Sequence, residues 1–128
     1  MEGAKSPDFL DLRTRAEFLE LCGDNDGAKR LQEISLQVAR EVDLICYAYQ
    51  LMWRERLDDA IELLHYSASI YSDSWNVYHS LGEAFEQKGE FSRAIEAYRQ
   101  AAVRVEDNLK REMIERRLFG LLDLAAAS

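Results

Sequence analysis

Apolar residues recur three and four positions apart almost throughout the chain beyond Pro7. That spacing lines up one face of an α-helix and is unlike the strict alternation of a half-buried strand. Breaks are few. Gly23-Asp24-Asn25-Asp26-Gly27 is a turn by composition, and Arg54-Glu55-Arg56-Leu57-Asp58-Asp59 is a polar interruption. Ser72-Asp73-Ser74 offers capping oxygens before a helix opening at Trp75, and Lys88-Gly89-Glu90 reads as a helix stop with glycine at the left-handed position. Asn108, after Asp107, is expected to cap a last helix from Leu109 onward. The segments between breaks run about 12–18 residues, the size of ordinary globular helices. The pattern predicts an all-α chain of about seven helices, with connections short enough to make neighbours antiparallel. The boundary least marked lies between Ala28 and Trp53, where no Gly or Pro occurs and one helix over 28–56 is the alternative. A turn near Arg40-Glu41-Val42-Asp43, capped by Asp43, is preferred because it keeps the spacing of the breaks regular.

That regularity is a repeat. Over residues 75–108, Tyr78, Leu81-Gly82, Phe85, Ala94, Tyr98 and Ala101 are separated by two, two, eight, three and two residues. The pattern closely resembles the tetratricopeptide repeat, W-x2-LG-x2-Y followed by A-x3-F, a small residue and usually proline. The resemblance implies helix-turn-helix pairs stacked into an α-α superhelix. Gly82 and Ala94 would let two helix backbones approach, Tyr78, Phe85 and Tyr98 would fill the space between them, and Gly89 would turn the chain. Glu106 departs from the pattern at the proline position. Moving back 34 residues gives Leu44, Tyr47-Ala48, Leu51, Ala60, Leu64 and Ser67, without the glycines. A further 32 residues back from Ala60 stands Ala28, preceded by Leu12, Arg15-Ala16 and Leu19. Asp26, Asp58 and Ser92, each two residues before its alanine, are expected N-caps. The expected domain is one unit over 1–128, with pairs at about 9–40, 41–74 and 75–108 and a terminal helix over 109–127.

Charge and composition narrow the function. The 128 residues carry 16 Lys plus Arg against 24 Asp plus Glu, a net charge of −8. An acidic surface opposes nucleic-acid binding, which needs basic contacts to phosphate, and weakly favours solubility or a basic partner. No apolar run approaches the ~20 residues that span a bilayer, and the charged opening MEGAKSPDFLDLRTRAEF lacks the apolar core of a secretion signal. Cys22 and Cys46 fall in helix-like segments and read as small buried thiols, so a reducing, cytoplasmic setting is expected.

No catalytic or metal-binding constellation stands out, no cofactor is implied, and the chain is read as non-enzymatic. His65 and His79 are 14 residues apart with no Cys or carboxylate at ligand spacing, and no phosphate-binding loop or HExxH occurs. The informative segment is Asp43–Trp53. On a helix, Leu44, Tyr47, Ala48 and Leu51 make one stripe, and Ile45, Cys46, Tyr49, Met52 and Trp53 make a second. A helix apolar on both sides must be covered on both. The second stripe is either closed over by neighbouring helices or faces the concave groove that the repeat resemblance implies, there to hold a peptide or helix of a partner protein. The groove-facing contacts would be Tyr49, Met52 and Trp53, with Asn76, His79, Ser80 and Glu83 on the next wall and Arg13, Thr14 and Glu17 from the first pair. The repeats of this family that hold a chaperone's C-terminal carboxylate use Lys, Arg and Asn there. Only Arg13 and Asn76 fit, and Glu17 and Glu83 oppose an anion. The stretch Asp73-Ser74-Trp75-Asn76-Val77-Tyr78 with Leu81-Gly82-Glu83-Ala84 also resembles repeat tails that follow some bacterial serine-hydrolase domains, so an accessory region of a hydrolase is one rival reading. A structural, self-associating domain with Trp53 in its core is the other.

The terminal helix carries a separate expectation. Ile114, Leu118, Leu121, Leu122 and Ala125 form a stripe suited to sealing the last repeat. Met113, Phe119 and Leu124 widen the apolar arc beyond it and are the residues expected to mediate self-association as a homodimer. The alternatives are that Phe119 and Leu124 tuck against the preceding pair, or that the Leu121–Ala127 tail frays in water.

Overall fold

The computed structural model describes residues 7–127. Residues 1–6, part of the charged opening weighed against a secretion signal, and Ser128 lie outside the described residues. Seven α-helices and no strand occur among the described residues: α1 (Phe9–Leu21), α2 (Asn25–Val38), α3 (Glu41–Trp53), α4 (Leu57–Ile70), α5 (Trp75–Lys88), α6 (Phe91–Arg104) and α7 (Asn108–Ala127). They belong to two compact units, one up to Asp43 and one from Leu44 onward. The fold is all-α, and no described helix is long and apolar enough to cross a membrane. Residues 28–56 are not one helix, because α2 ends at Val38 and α3 opens at Glu41. Asp43 caps α3 from inside its first turn. Its carboxylate accepts the Arg40 backbone N–H at 2.9 Å and the Arg40 guanidinium at 3.3 Å, which holds the Asp43 carboxyl below its usual range.

One turn is built three times. α1, α3 and α5 are each followed by a residue of positive φ: Gly23 (+87°), Glu55 (+61°) and Gly89 (+84°). The next N–H then reaches back five residues, Asp24 to the Leu19 carbonyl at 2.8 Å, Arg56 to Leu51 at 2.8 Å and Glu90 to Phe85 at 2.9 Å. This closure satisfies carbonyls that the ending helix leaves without partners. The same three residues open the next helix. Their carbonyls accept from Ala28 at 3.0 Å, Ala60 at 3.1 Å and Ala94 at 3.0 Å. The N-caps therefore stand four residues before each alanine, not two. Asp26, Asp58 and Ser92 lie within the first helical turn, where the two carboxylates complement the positive end of the helix dipole. A single left-handed residue suffices to reverse the chain, so the helix resumes earlier than a longer polar loop would allow. The terminal helix is displaced in the same sense. Asp107, not Asn108, caps it, accepting from Leu109 and Lys110 at 2.8 and 3.1 Å.

Glu55 is the one described non-glycine residue with positive φ. A side chain in that region costs about 1–2 kcal/mol against the right-handed alternative, partly offset by the lower chain entropy of a non-glycine residue. Glu55→Gly is expected to raise unfolding free energy by about 0.5–1 kcal/mol in urea titrations. A loss of stability would show that the turn is not held as described.

In the first unit, Phe9, Leu12 and Ala16 of α1 and Ala28 and Ser35 of α2 are buried. In the second, α4 packs on α5, α5 on α6 and α6 on α7. The ring of His65 lies 5.8 Å from that of Phe85, and Gly82 faces Tyr98 so closely that a Cβ there would come within 2.7 Å of the ring. Arg111 of α7 donates to the Ala102 carbonyl at 3.3 Å and also to that of Val105, tying α7 to the end of α6. The cysteines correct the expectation of buried thiols. Both are free and exposed, Cys22 because it is the C-cap of α1 and Cys46 because it lies on the open side of α3.

Candidate functional site

The second unit contains a cleft of about 360 Å³ lined by His79, Glu83, Glu86 and Gln87 of α5, Tyr98 of α6, and Met113 and Arg117 of α7. Helical spacing creates its α5 wall, since residues 79, 83, 86 and 87 fall on one face. Ser74 fixes where that helix starts, its hydroxyl accepting from Val77 at 3.3 Å.

Glu86 is the hub. It accepts the Tyr98 hydroxyl at 3.0 Å and Arg117 Nε at 2.9 Å on one oxygen, and a second Arg117 nitrogen on the other. Side chains of α5, α6 and α7 thus meet at one carboxylate. The bond to Glu86 holds the Arg117 guanidinium above its ordinary range. Burial pushes the Tyr98 hydroxyl far up, reinforced by the negative charges of Glu86 and Glu83. His79 Nδ1 lies 3.1 Å from a Glu83 carboxylate oxygen. The His79 ring is edge-on to Tyr98 at 5.6 Å and to Trp75 at 6.1 Å, so two aromatic contacts set its orientation. On α3, the Tyr49 hydroxyl lies 3.2 Å from Ser80 Oγ, and Ser80 donates to the Asn76 carbonyl at 2.8 Å. Burial raises the Tyr49 hydroxyl as well, and the Glu83 carboxylate adds to the rise.

Of the expected contact residues, Tyr49, His79 and Glu83 come together around the Glu83 carboxylate. Asn76 is exposed at the first turn of α5 and joins them through its backbone carbonyl. The second stripe of α3 divides. Met52 is only 5% exposed and Ile45 is buried beside it, whereas Trp53 is 89% exposed. Met52 thus offers no surface to a partner in the free chain. The reading of Trp53 as a core residue fails, because it is the last residue of α3 and the chain turns away beyond it. In the first unit, Arg13 lies over the Phe9 ring at 5.3 Å and Thr14 donates to the Leu10 carbonyl at 2.9 Å. Phe119 and Leu124 are more than half exposed, while Ile114, Leu118 and Leu121 are buried as a seal.

Glu86, Gln87 and Arg117 did not figure among the expected site residues. Extending the Asn76–His79–Glu83 face by one more turn would have reached Glu86 and Gln87. Nothing in sequence spacing brings Arg117 to them. Among the described residues, no group of three or more His, Cys, Asp or Glu could hold a metal ion. The cleft presents two carboxylates, one guanidinium, an imidazole, an amide and the exposed Met113 thioether, an arrangement suited to recognising a side chain. No family model matches this chain, and no curated protein matches it significantly.

Proposed function

We propose that this chain is a non-catalytic protein-interaction module of the tetratricopeptide type, and that its second unit holds a segment of a partner protein in the α5–α7 cleft. The observation that carries the reading is the composition of that cleft, where Glu83 and Glu86 face one guanidinium beside the exposed thioether of Met113. A lysine or arginine of the partner would set its charge against Glu83 and lay its aliphatic stem along Met113 and Gln87. The net charge of −8 would draw such a segment in and raise its association rate. Trp53, four residues beyond Tyr49 on the same face of α3, supplies a second anchor for a longer segment. The repeat assignment is supported by the three equivalent turns and by their spacing of 32 and 34 residues.

Selection from a random peptide library on the full chain tests the reading. Enriched peptides are expected to carry a basic residue next to an apolar one. Glu83→Lys should weaken a selected peptide by at least about tenfold, roughly 1.4 kcal/mol. Absence of enrichment, or enrichment indifferent to Glu83→Lys and Met113→Asp, would overturn it.

A further inference from the structure

The α5–α7 cleft already holds a guanidinium, and it comes from the chain itself. Nε and a second nitrogen of Arg117 donate to different oxygens of Glu86, a side-on grip that needs the planar fork of arginine. The Tyr98 hydroxyl donates to one of the same oxygens at 3.0 Å, so α6 holds the carboxylate whichever cation sits on it. The two halves of the ion pair are placed unequally. The Glu86 side chain is 19% exposed and that of Arg117 is 59% exposed. The acceptor is recessed and braced, and the cation reaches over it from α7.

That pair is not what fastens α7. Ile114, Leu118 and Leu121 bury the helix along one face, and Arg111 ties its first turns to the carbonyls of Ala102 and Val105. An ion pair with so exposed a cation adds little to stability. Releasing Arg117 to water therefore costs the fold little. An arginine arriving from outside would gain more than Arg117 gives up. Among the described residues, Glu86 is the one carboxylate that Arg117 bonds. Glu83 stands three residues earlier on the same face of α5 and also lines the cleft, beside the exposed Met113 and Gln87. An incoming side chain could set its guanidinium on Glu86 with Glu83 next to it and lay its stem along Met113.

We propose that the cleft selects an arginine of the partner segment, and that Arg117 is the stand-in which that arginine displaces from Glu86. The inference rests on reading the cleft as the site of a partner segment. Arg117 is then an autoinhibitory contact, lowering apparent affinity by the fraction of chains in which it covers Glu86. A lysine of the partner competes poorly, because a single ammonium cannot match both carboxylate oxygens as the guanidinium does.

Two capped pentapeptides, Gly-Leu-Arg-Leu-Gly and Gly-Leu-Lys-Leu-Gly, test this when titrated into the full chain and followed by backbone amide NMR shifts. The arginine peptide should shift amides around Glu83–Gln87 and bind about tenfold more tightly than the lysine peptide. Arg117→Ala should tighten the arginine peptide by about fivefold or more and melt close to the parent chain. Arg116→Ala removes the same charge one residue away, from an exposed side chain paired with Glu112, and should change affinity less than about twofold. Glu86→Gln placed in the Arg117→Ala chain should abolish the gain. Binding that Arg117→Ala leaves unchanged or weakens overturns the stand-in and spares the cleft as a site. So does an equal gain from Arg116→Ala, or equal affinity for the two peptides. Binding of neither peptide to any of these chains overturns the proposal together with the reading of the cleft beneath it.

Discussion

Replacing Tyr98 by alanine is expected to cost about 3–5 kcal/mol of unfolding free energy, the range for removing a large buried aromatic side chain. Tyr98 is 1% exposed and is the largest fully buried side chain described. Its ring rests on Gly82, which has no side chain to fill the space left behind, and it is contacted edge-on by His79. The cavity would therefore stay open, with the surrounding atoms losing their contacts outright. Tyr98→Phe isolates the hydroxyl. It should cost only about 1 kcal/mol, because Glu86 keeps both bonds to Arg117 when the hydroxyl donor is lost. Urea titrations of the two variants check the pair of values. A cost below about 1 kcal/mol for the alanine variant would mean that the ring is not the packed centre of α5 and α6.

Much of this architecture was legible because each feature has a local cause. Gly89 at a helix stop, Ser74 before Trp75 and the Gly82–Tyr98 spacing all act through neighbours close in sequence or one helix pair away. Glu55 was not legible as a left-handed residue. Nothing in its type announces that conformation, which is imposed by the same closure that glycine makes at 23 and 89. The caps were misplaced for a related reason. Asp26, Asp58 and Ser92 have capping side chains, but the N-caps of α4 and α6 are Arg56 and Glu90, with no side-chain cap bond. Backbone closure set those starts, and side-chain preference had little say. Ser35 is a quieter case. It stands seven residues after Ala28, as Ser67 does after Ala60 and Ala101 after Ala94, and all three are buried.

Periodicity tells which residues share a face, not what that face meets. It split α3 into two stripes and left open how the second is covered, although Ile45 and Met52 of the second belong with Leu44, Ala48 and Leu51 on one buried face. The answer divides residue by residue, with Ile45 and Met52 buried and Cys46 and Trp53 outside. The candidate site shows the same limit. Its α5 wall follows from helical spacing, but its closure depends on Arg117 reaching Glu86 from 31 residues away. Only the packing of α7 on α6 creates that contact.

Gly82→Leu is expected to be the second most damaging change, at about 1–3 kcal/mol and more where the surroundings do not yield. The first added atom alone would sit 2.7 Å from Tyr98 Cε1 and 2.8 Å from two further ring atoms. Retreat of the ring is opposed by its polar tether. Its hydroxyl is bonded to Glu86, which Arg117 holds from α7, so moving Tyr98 disturbs three helices together. The strain should then be coupled to the ring rather than spread through the fold. In a double-mutant cycle, Gly82→Ala in the Tyr98→Ala background should cost less than in the parent chain, by an interaction energy of about 0.5–3 kcal/mol. The sign is the informative part, since Ala is the better helix former and would by itself favour α5. Without the ring, Gly82→Ala should be neutral or stabilising. An equal cost in both backgrounds would show that the glycine answers to some requirement other than the approach of Tyr98.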